Sequence, residues 1–229
     1  MKSLIIALVV LCFACKSNTS DISKIENPKL EIKKPTDSIT RTLPIGISKL
    51  MDKDFKLDTN DDEGSKEYKS IFDFYDTLLK SDSTKLYNKY STLSYIPDKS
   101  FIQEKDKHPL LGDEENQTDL KTKPFNIVKI LPKSGDFNVV IVSGTTPYNE
   151  YHSINRMELL TLNNELEIID EFNIYYAYAS EISTKQKFFF IDKSYNIFIR
   201  YYFEKEEKPS YFSEVKKYKL SPNGKIINQ

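Results

Sequence analysis

The sequence predicts an α+β protein, mainly β, with an N-terminal amphipathic helix or helices packed on an antiparallel β-meander of about seven or eight strands. Three observations predict it. The apolar pattern changes from a helical period to a period of two near Phe125. Turn-forming clusters then recur at short intervals: Lys133–Asp136, Asn163-Asn164, Asp192–Ser194, Glu206–Ser210 and Pro222–Gly224. Such short connections favour antiparallel neighbours. Finally, 19 of the 29 Phe and Tyr residues lie between Phe125 and Tyr218, where aromatic side chains suit a pleated surface and bury large areas.

The helix is expected over residues 65–80. Tyr68, Ile71, Phe72, Tyr75, Leu78 and Leu79 fall on one stripe, Ser65 can cap the start, and Asp61, Asp62 and Glu63 sit at the positive end of the helix dipole. Leu86, Tyr90 and Leu93 suggest a second helix ended by Pro97, which makes residues 65–97 the helical part. Residues 98–123 are polar and read as a loop, and 124–229 as the meander. Within it, Phe137–Val142 has the composition of a strand covered on both faces. In contrast, Tyr195, Ile197, Ile199, Tyr201 and Phe203 alternate with Asn196, Arg200 and Glu204, as in a strand covered on one face. Phe172, Ile174, Tyr176 and Tyr178 repeat that alternation.

Ahead of this domain of residues 65–229 lie two other segments. Residues 1–14 carry a cationic start, Met1-Lys2-Ser3, and an apolar run from Leu4 to Ala14. That is the pattern of a signal peptide, whose apolar core is about 7–15 residues, and it is shorter than the roughly 20 residues that a membrane-crossing helix needs. Residues 15–64 read as a flexible tether, rich in Lys, Ser, Thr, Asn and Asp and interrupted by Pro28, Pro35 and Pro44. Only Leu43–Met51 is apolar enough to dock on something.

The stretch Leu11-Cys12-Phe13-Ala14-Cys15, with small Ala14 before the cysteine, resembles the lipobox of bacterial lipoproteins. The resemblance implies that Cys15 takes a diacylglycerol and becomes the first residue of the mature chain. This sequence departs from the family pattern by placing Leu11 four residues before the acceptor instead of three. Cys12-x-Ala14 also passes as an ordinary signal-peptidase site, which leaves cleavage without lipidation open. Asp37-Ser38-Ile39 resembles the tripeptide of a bacterial O-glycosylation system. Over residues 137–228 the chain is similar to small envelope lipoproteins in which an apolar strand, an Asn turn and a strand ending in Ile-Asp repeat. Glu158–Asn164 leading into Leu166–Asp170 carries that likeness, and it implies a fold and no activity.

Composition excludes several function classes. The net charge is −1 with both signs interspersed, so the chain offers no footprint for nucleic acid. Its only cysteines, Cys12 and Cys15, lie in the export segment, which leaves the domain without a disulfide, a thiol nucleophile or a thiolate metal site. His108 and His152 have no metal-ligand spacing, and the six glycines build neither a nucleophile elbow nor a phosphate loop. Asp58–Gly64 starts like a calcium loop but places its glycine one residue late and Lys69 at the closing position. Tyr148, Tyr151, Tyr175 and Tyr211 are candidates for a polar-aromatic contact surface, with core packing as their plainer role.

The sequence thus predicts a non-enzymatic lipoprotein, a protein-binding or structural module without cofactor or metal, anchored at the envelope through Cys15, on the outer membrane of a Gram-negative cell. Its expected partners are the membrane, through the lipid, and an envelope protein, with no nucleic acid and no small-molecule substrate. Alternatives are an inhibitor- or immunity-type lipoprotein and a hydrolase of envelope glycan or peptide working through carboxylates.

Overall fold

A computed structural model describes residues 42–56, 62–81, 90–97, 123–147, 153–179, 183–206 and 208–229. It is an α+β fold, mainly β, with ten strands in one antiparallel sheet and one α-helix among the described residues. No helix among them is long and apolar enough to cross a membrane.

The helix α1 (Asp62–Leu79) forms where the 3.6-residue stripe predicts it. It starts three residues earlier than expected, which places Ser65 inside the first turn and not at the cap. Ile71, Tyr75 and Leu78 are buried, and Tyr68, Phe72 and Leu79 pack at the margin of the core. The second helix expected around Leu86 and the loop at 98–123 fall mostly outside the described residues; Tyr90 and Tyr95 are described, and both are buried.

The meander runs β2 (Asn126–Ile130), β3 (Asn138–Pro147), β4 (Ser153–Leu162), β5 (Ile168–Ala179), β6 (Ser183–Ile191) and β7 (Asn196–Lys205), each paired with the next. The turn residues work as their chemistry dictates. Asn163 Oδ1 accepts from the Glu167 amide at 2.8 Å, and Asp192 Oδ1 accepts from the Ser194 and Asn196 amides at 2.8 and 2.9 Å. Beyond β7 the count exceeds the expected seven or eight. Two strands, β8 (Lys208–Phe212) and β9 (Lys216–Leu220), pair with the same edge of β7, one with each half of it. β10 (Ile226–Asn228) then pairs with β9. The turn expected at Glu206–Ser210 is correspondingly short, because β8 already begins at Lys208.

The tenth strand, β1 (Ile45–Gly46), comes from the stretch read as tether, and a 3₁₀ turn follows it at Ser48–Met51. Leu50 is fully buried, so Leu43–Met51 does dock and the folded part begins ahead of residue 65. The opening for β1 lies beside β5. Residues Tyr176–Ala179 of β5 pair with β6, but Ile174 is an extra residue opposite β4, and the N-terminal half of β5 leaves β6. β1 pairs with β6 at Phe190 and Ile191 in its place. Gly46 permits this approach: its φ is +99°, and a Cβ there would lie 2.3 Å from the Phe189 carbonyl oxygen. The far end of the sheet returns to the freed half of β5 through side chains. Thr161 Oγ1 donates to the Gly224 carbonyl at 2.7 Å, Asp170 accepts from the Ile226 amide at 2.7 Å, and Lys225 Nζ donates to the Ile169 carbonyl.

Two apolar clusters result. The larger joins α1, the 43–55 arm and the aromatic strands; the smaller sets Tyr90, Tyr95 and Phe125 over Val140, Val142, Leu160 and Leu162. β3 is apolar on both faces because Val139 and Ile141 belong to the first cluster, while Val140 and Val142 belong to the second. Tyr75 is the hub of the first. Its ring stacks on Tyr175 at 5.1 Å, touches Phe188 and Phe189 at 5.2 and 5.5 Å, and its hydroxyl donates to the Phe189 carbonyl at 2.6 Å.

Tyr75→Ala is therefore expected to lower the unfolding free energy by about 3–5 kcal/mol, from lost burial plus a cavity. Tyr75→Phe keeps the ring and should cost only about 1 kcal/mol, for the hydrogen bond. Chemical denaturation measures both, and a silent Tyr75→Ala would mean that α1 does not cover the sheet.

Candidate functional site

A concavity among the described residues lies where β8 and β9 meet on the edge of β7. Tyr202 pairs with Phe212 and Ile199 with Lys216, so two residues of β7 face three, Ser213–Val215, in what is otherwise one continuous strand. This is a β-bulge, a feature that bends an edge and redirects side chains. Arg200 lies opposite it. The Arg200 Nε donates to the Ser213 carbonyl at 2.9 Å, and Nη1 donates to the carbonyls of Leu50, at 2.9 Å, and of Asp52. Nη2 reaches the Lys53 carbonyl at 3.4 Å, and the guanidinium lies 4.9 Å from the Phe212 ring centroid. One planar fork thus fastens the arm and the bulge to the sheet, and it does so with backbone carbonyls only.

Between those two fastened segments runs an open groove of about 880 Å³. One wall is the arm, Ser48 to Lys53, and the other is Phe212–Val215. The floor is Phe190 and Phe198, paired across β6 and β7 with ring centroids 6.0 Å apart. Lys217 flanks the floor with its ammonium 6.0 Å from the Phe198 ring centroid. Both floor rings and Met51 are half-buried, and Lys53, Glu214 and Lys217 are exposed. Such a surface can seat an apolar side chain and present charge around it.

A deeply buried pair of charges lies elsewhere, on β4. Arg156 and Glu158 are 1% and 2% exposed and form an ion pair with Nη2 to Oε1 at 2.6 Å. Asn173 Nδ2 donates to the same Oε1 at 2.9 Å, and the guanidinium lies 6.0 Å from the Phe125 ring centroid, which Gly144 leaves room for. Burial raises the Glu158 carboxyl above the usual range, although Arg156, Asn173 and the nearby Lys187 all favour its charged form. The groove does not reach this pair. It is a neutralised, hydrogen-bonded element of the core and carries the geometry of packing. Alongside it, Lys185 and Lys187 are buried among aromatic rings: Lys185 Nζ lies 5.5 Å from the Tyr176 ring centroid, and Lys187 Nζ lies 5.1 Å from that of Phe172.

The structure distributes the sequence candidates unevenly. Tyr175 is 3% exposed and belongs to the core, whereas Tyr211 is 53% exposed on β8. Cys15, Asp37-Ser38-Ile39, His108, Tyr148, Tyr151 and His152 lie outside the described residues. So does most of the Asp58–Gly64 run; among the described residues no cluster of three or more His, Cys, Asp or Glu is placed to hold a metal. Arg200 needs correction. The alternation on β7 places it on the open face, yet it is 5% exposed because the arm covers that face. The signal was present in its neighbours at two residues' distance, Phe198 and Tyr202, which make its own face aromatic as well.

The buried pair yields a pH-dependent expectation. Arg156→Met leaves the Glu158 carboxylate buried without its counter-ion, at a cost of about 3–5 kcal/mol near neutral pH. Its carboxyl then rises further, so the folded chain holds a proton that the unfolded chain, near pH 4.3, has already released. Unfolding free energy therefore falls as pH rises through that window. The deficit against the parent protein, followed by urea unfolding, should shrink between pH 8 and pH 5; a deficit independent of pH would contradict the assignment. In comparisons with protein-family models, curated proteins and solved structures, nothing matches the chain.

Proposed function

We propose that the chain is a lipid-anchored lipoprotein of the bacterial cell envelope, held through Cys15, whose sheet domain binds an envelope protein without catalysing a reaction. The observation that carries the binding reading is the groove, a concave aromatic floor framed by exposed charges. The Glu158 carboxyl, which burial raises, is sealed in the core. Support for the anchor comes from the apolar run that ends at Ala14-Cys15. Two or more acyl chains on a cysteine hold a protein at a membrane stably, each buried CH₂ contributing about 0.8 kcal/mol. Residues 16–42 then separate the lipid from the docked arm. Fully extended they span at most about 90 Å, ample to carry the groove clear of the headgroups.

One experiment in cells tests both halves. A photo-crosslinking amino acid replaces Lys217 in the parent and in Cys15→Ser. The parent should fractionate with membranes and give a discrete crosslinked adduct, and Cys15→Ser should be soluble after export. A Cys15→Ser protein as firmly membrane-bound as the parent overturns the anchor. The absence of any discrete adduct from position 217 overturns the binding role.

A further inference from the structure

We infer that the groove accepts an extended acidic segment of its partner, with an apolar side chain on Phe190 and Phe198 and flanking carboxylates toward Lys53 and Lys217. The inference rests on the protein-binding reading above and adds the chemistry of what is bound. Charge complementarity carries it. Arg200 closes the base of the groove, 5% exposed, and every hydrogen bond it makes ends on a neutral carbonyl. No carboxylate hydrogen-bonds it, and the Asp52 carboxylate acts on it only through space. Lys53 and Lys217 stand exposed on opposite sides of the opening.

Two acids line the same groove against its three cations, Arg200, Lys53 and Lys217, so the positive excess is one charge, and Asp52 acts on Arg200 through space. Asp52 Oδ1 accepts from the Asp54 amide at 3.0 Å, within its own turn. Glu214 stands exposed on the bulge wall, screened by solvent as Lys53 and Lys217 are. The rings supply what the cations do not: an apolar floor that remains half-open, because the arm covers Arg200 and leaves Phe190 and Phe198 accessible. A segment that alternates apolar and acidic residues matches this layout, since side chains two apart in an extended chain share a face. Neutral glycans would use the rings and leave the cations without a role.

The test uses the soluble Cys15→Ser protein and a fluorescein-labelled ten-residue peptide that alternates Glu with Leu and Phe. Its control has every Glu replaced by Lys. Fluorescence anisotropy should show saturable binding of the acidic peptide, weakening with added salt, and none of the basic one. Lys53→Glu combined with Lys217→Glu should weaken binding about tenfold or more, with the denaturation midpoint unchanged because both side chains are exposed. Equal binding of the two peptides, or an affinity indifferent to the double charge reversal, overturns the inference. So does a discrete crosslinked adduct at position 217 from a partner that the acidic peptide does not displace, an outcome that leaves the protein-binding reading standing.

Discussion

Arg200 sits where three segments come together: the N-terminal arm, the central strand β7 and the bulge between β8 and β9. A guanidinium can serve all three because it is planar, permanently charged and carries five donors in a fixed fork. It is placed where backbone carbonyls would otherwise lie unpaired. The Leu50 carbonyl, in the 3₁₀ turn, and that of Ser213, in the bulge, have no partner in a ladder, whereas the Asp52 carbonyl also accepts from the Phe55 amide. Leaving such groups buried and unbonded costs about 1–3 kcal/mol each. The same contacts form the groove, since its two walls are the segments that Arg200 holds apart and in place.

The arm has a place to dock because the sheet divides. The extra residue Ile174 turns the first half of β5 away from β6, and a row of β6 backbone groups is left open. β1 fills it with two residues, one a glycine whose missing side chain permits the contact. Tyr75 closes the same gap from the helix side by donating to Phe189, the carbonyl that Gly46 also approaches. Helix, arm and sheet therefore meet at one stretch of β6, and the stability of each depends on the others. In a domain without a disulfide, this is where non-local contacts supply the constraint that a covalent link supplies in many small secreted proteins.

Much of this was legible in the sequence, and the rest was hidden for identifiable reasons. The helix stripe from Tyr68 to Leu79, the doubly covered run at Phe137–Val142 and the turns at Asn163, Asp192 and Asn223 express local periodicity or local side-chain chemistry, which a linear pattern records. The bulges at Ile174 and Ser213–Val215 leave no such mark, since one extra residue in a strand looks like ordinary sequence. Arg200 was misplaced for that reason: alternation identifies the faces of a strand but not that an arm from about 150 residues away covers the second one. The groove follows from the bulge and the arm together, so no local pattern could announce it. The Cys15 motif is the opposite case, a signal that only the sequence displays.

The central claim, that Arg200 holds the arm on the sheet, is tested most directly by native-state hydrogen exchange in Arg200→Ala. The amides of Leu50 and Asp52, which donate within the 3₁₀ turn, report the arm, and those of β3 and β4 report the sheet. The account predicts that the arm amides lose protection by about a hundredfold, the equivalent of roughly 3 kcal/mol of local opening, while Val140 and Leu160 change far less. Uniform loss across arm and sheet, or an arm as protected as in the parent, would contradict it.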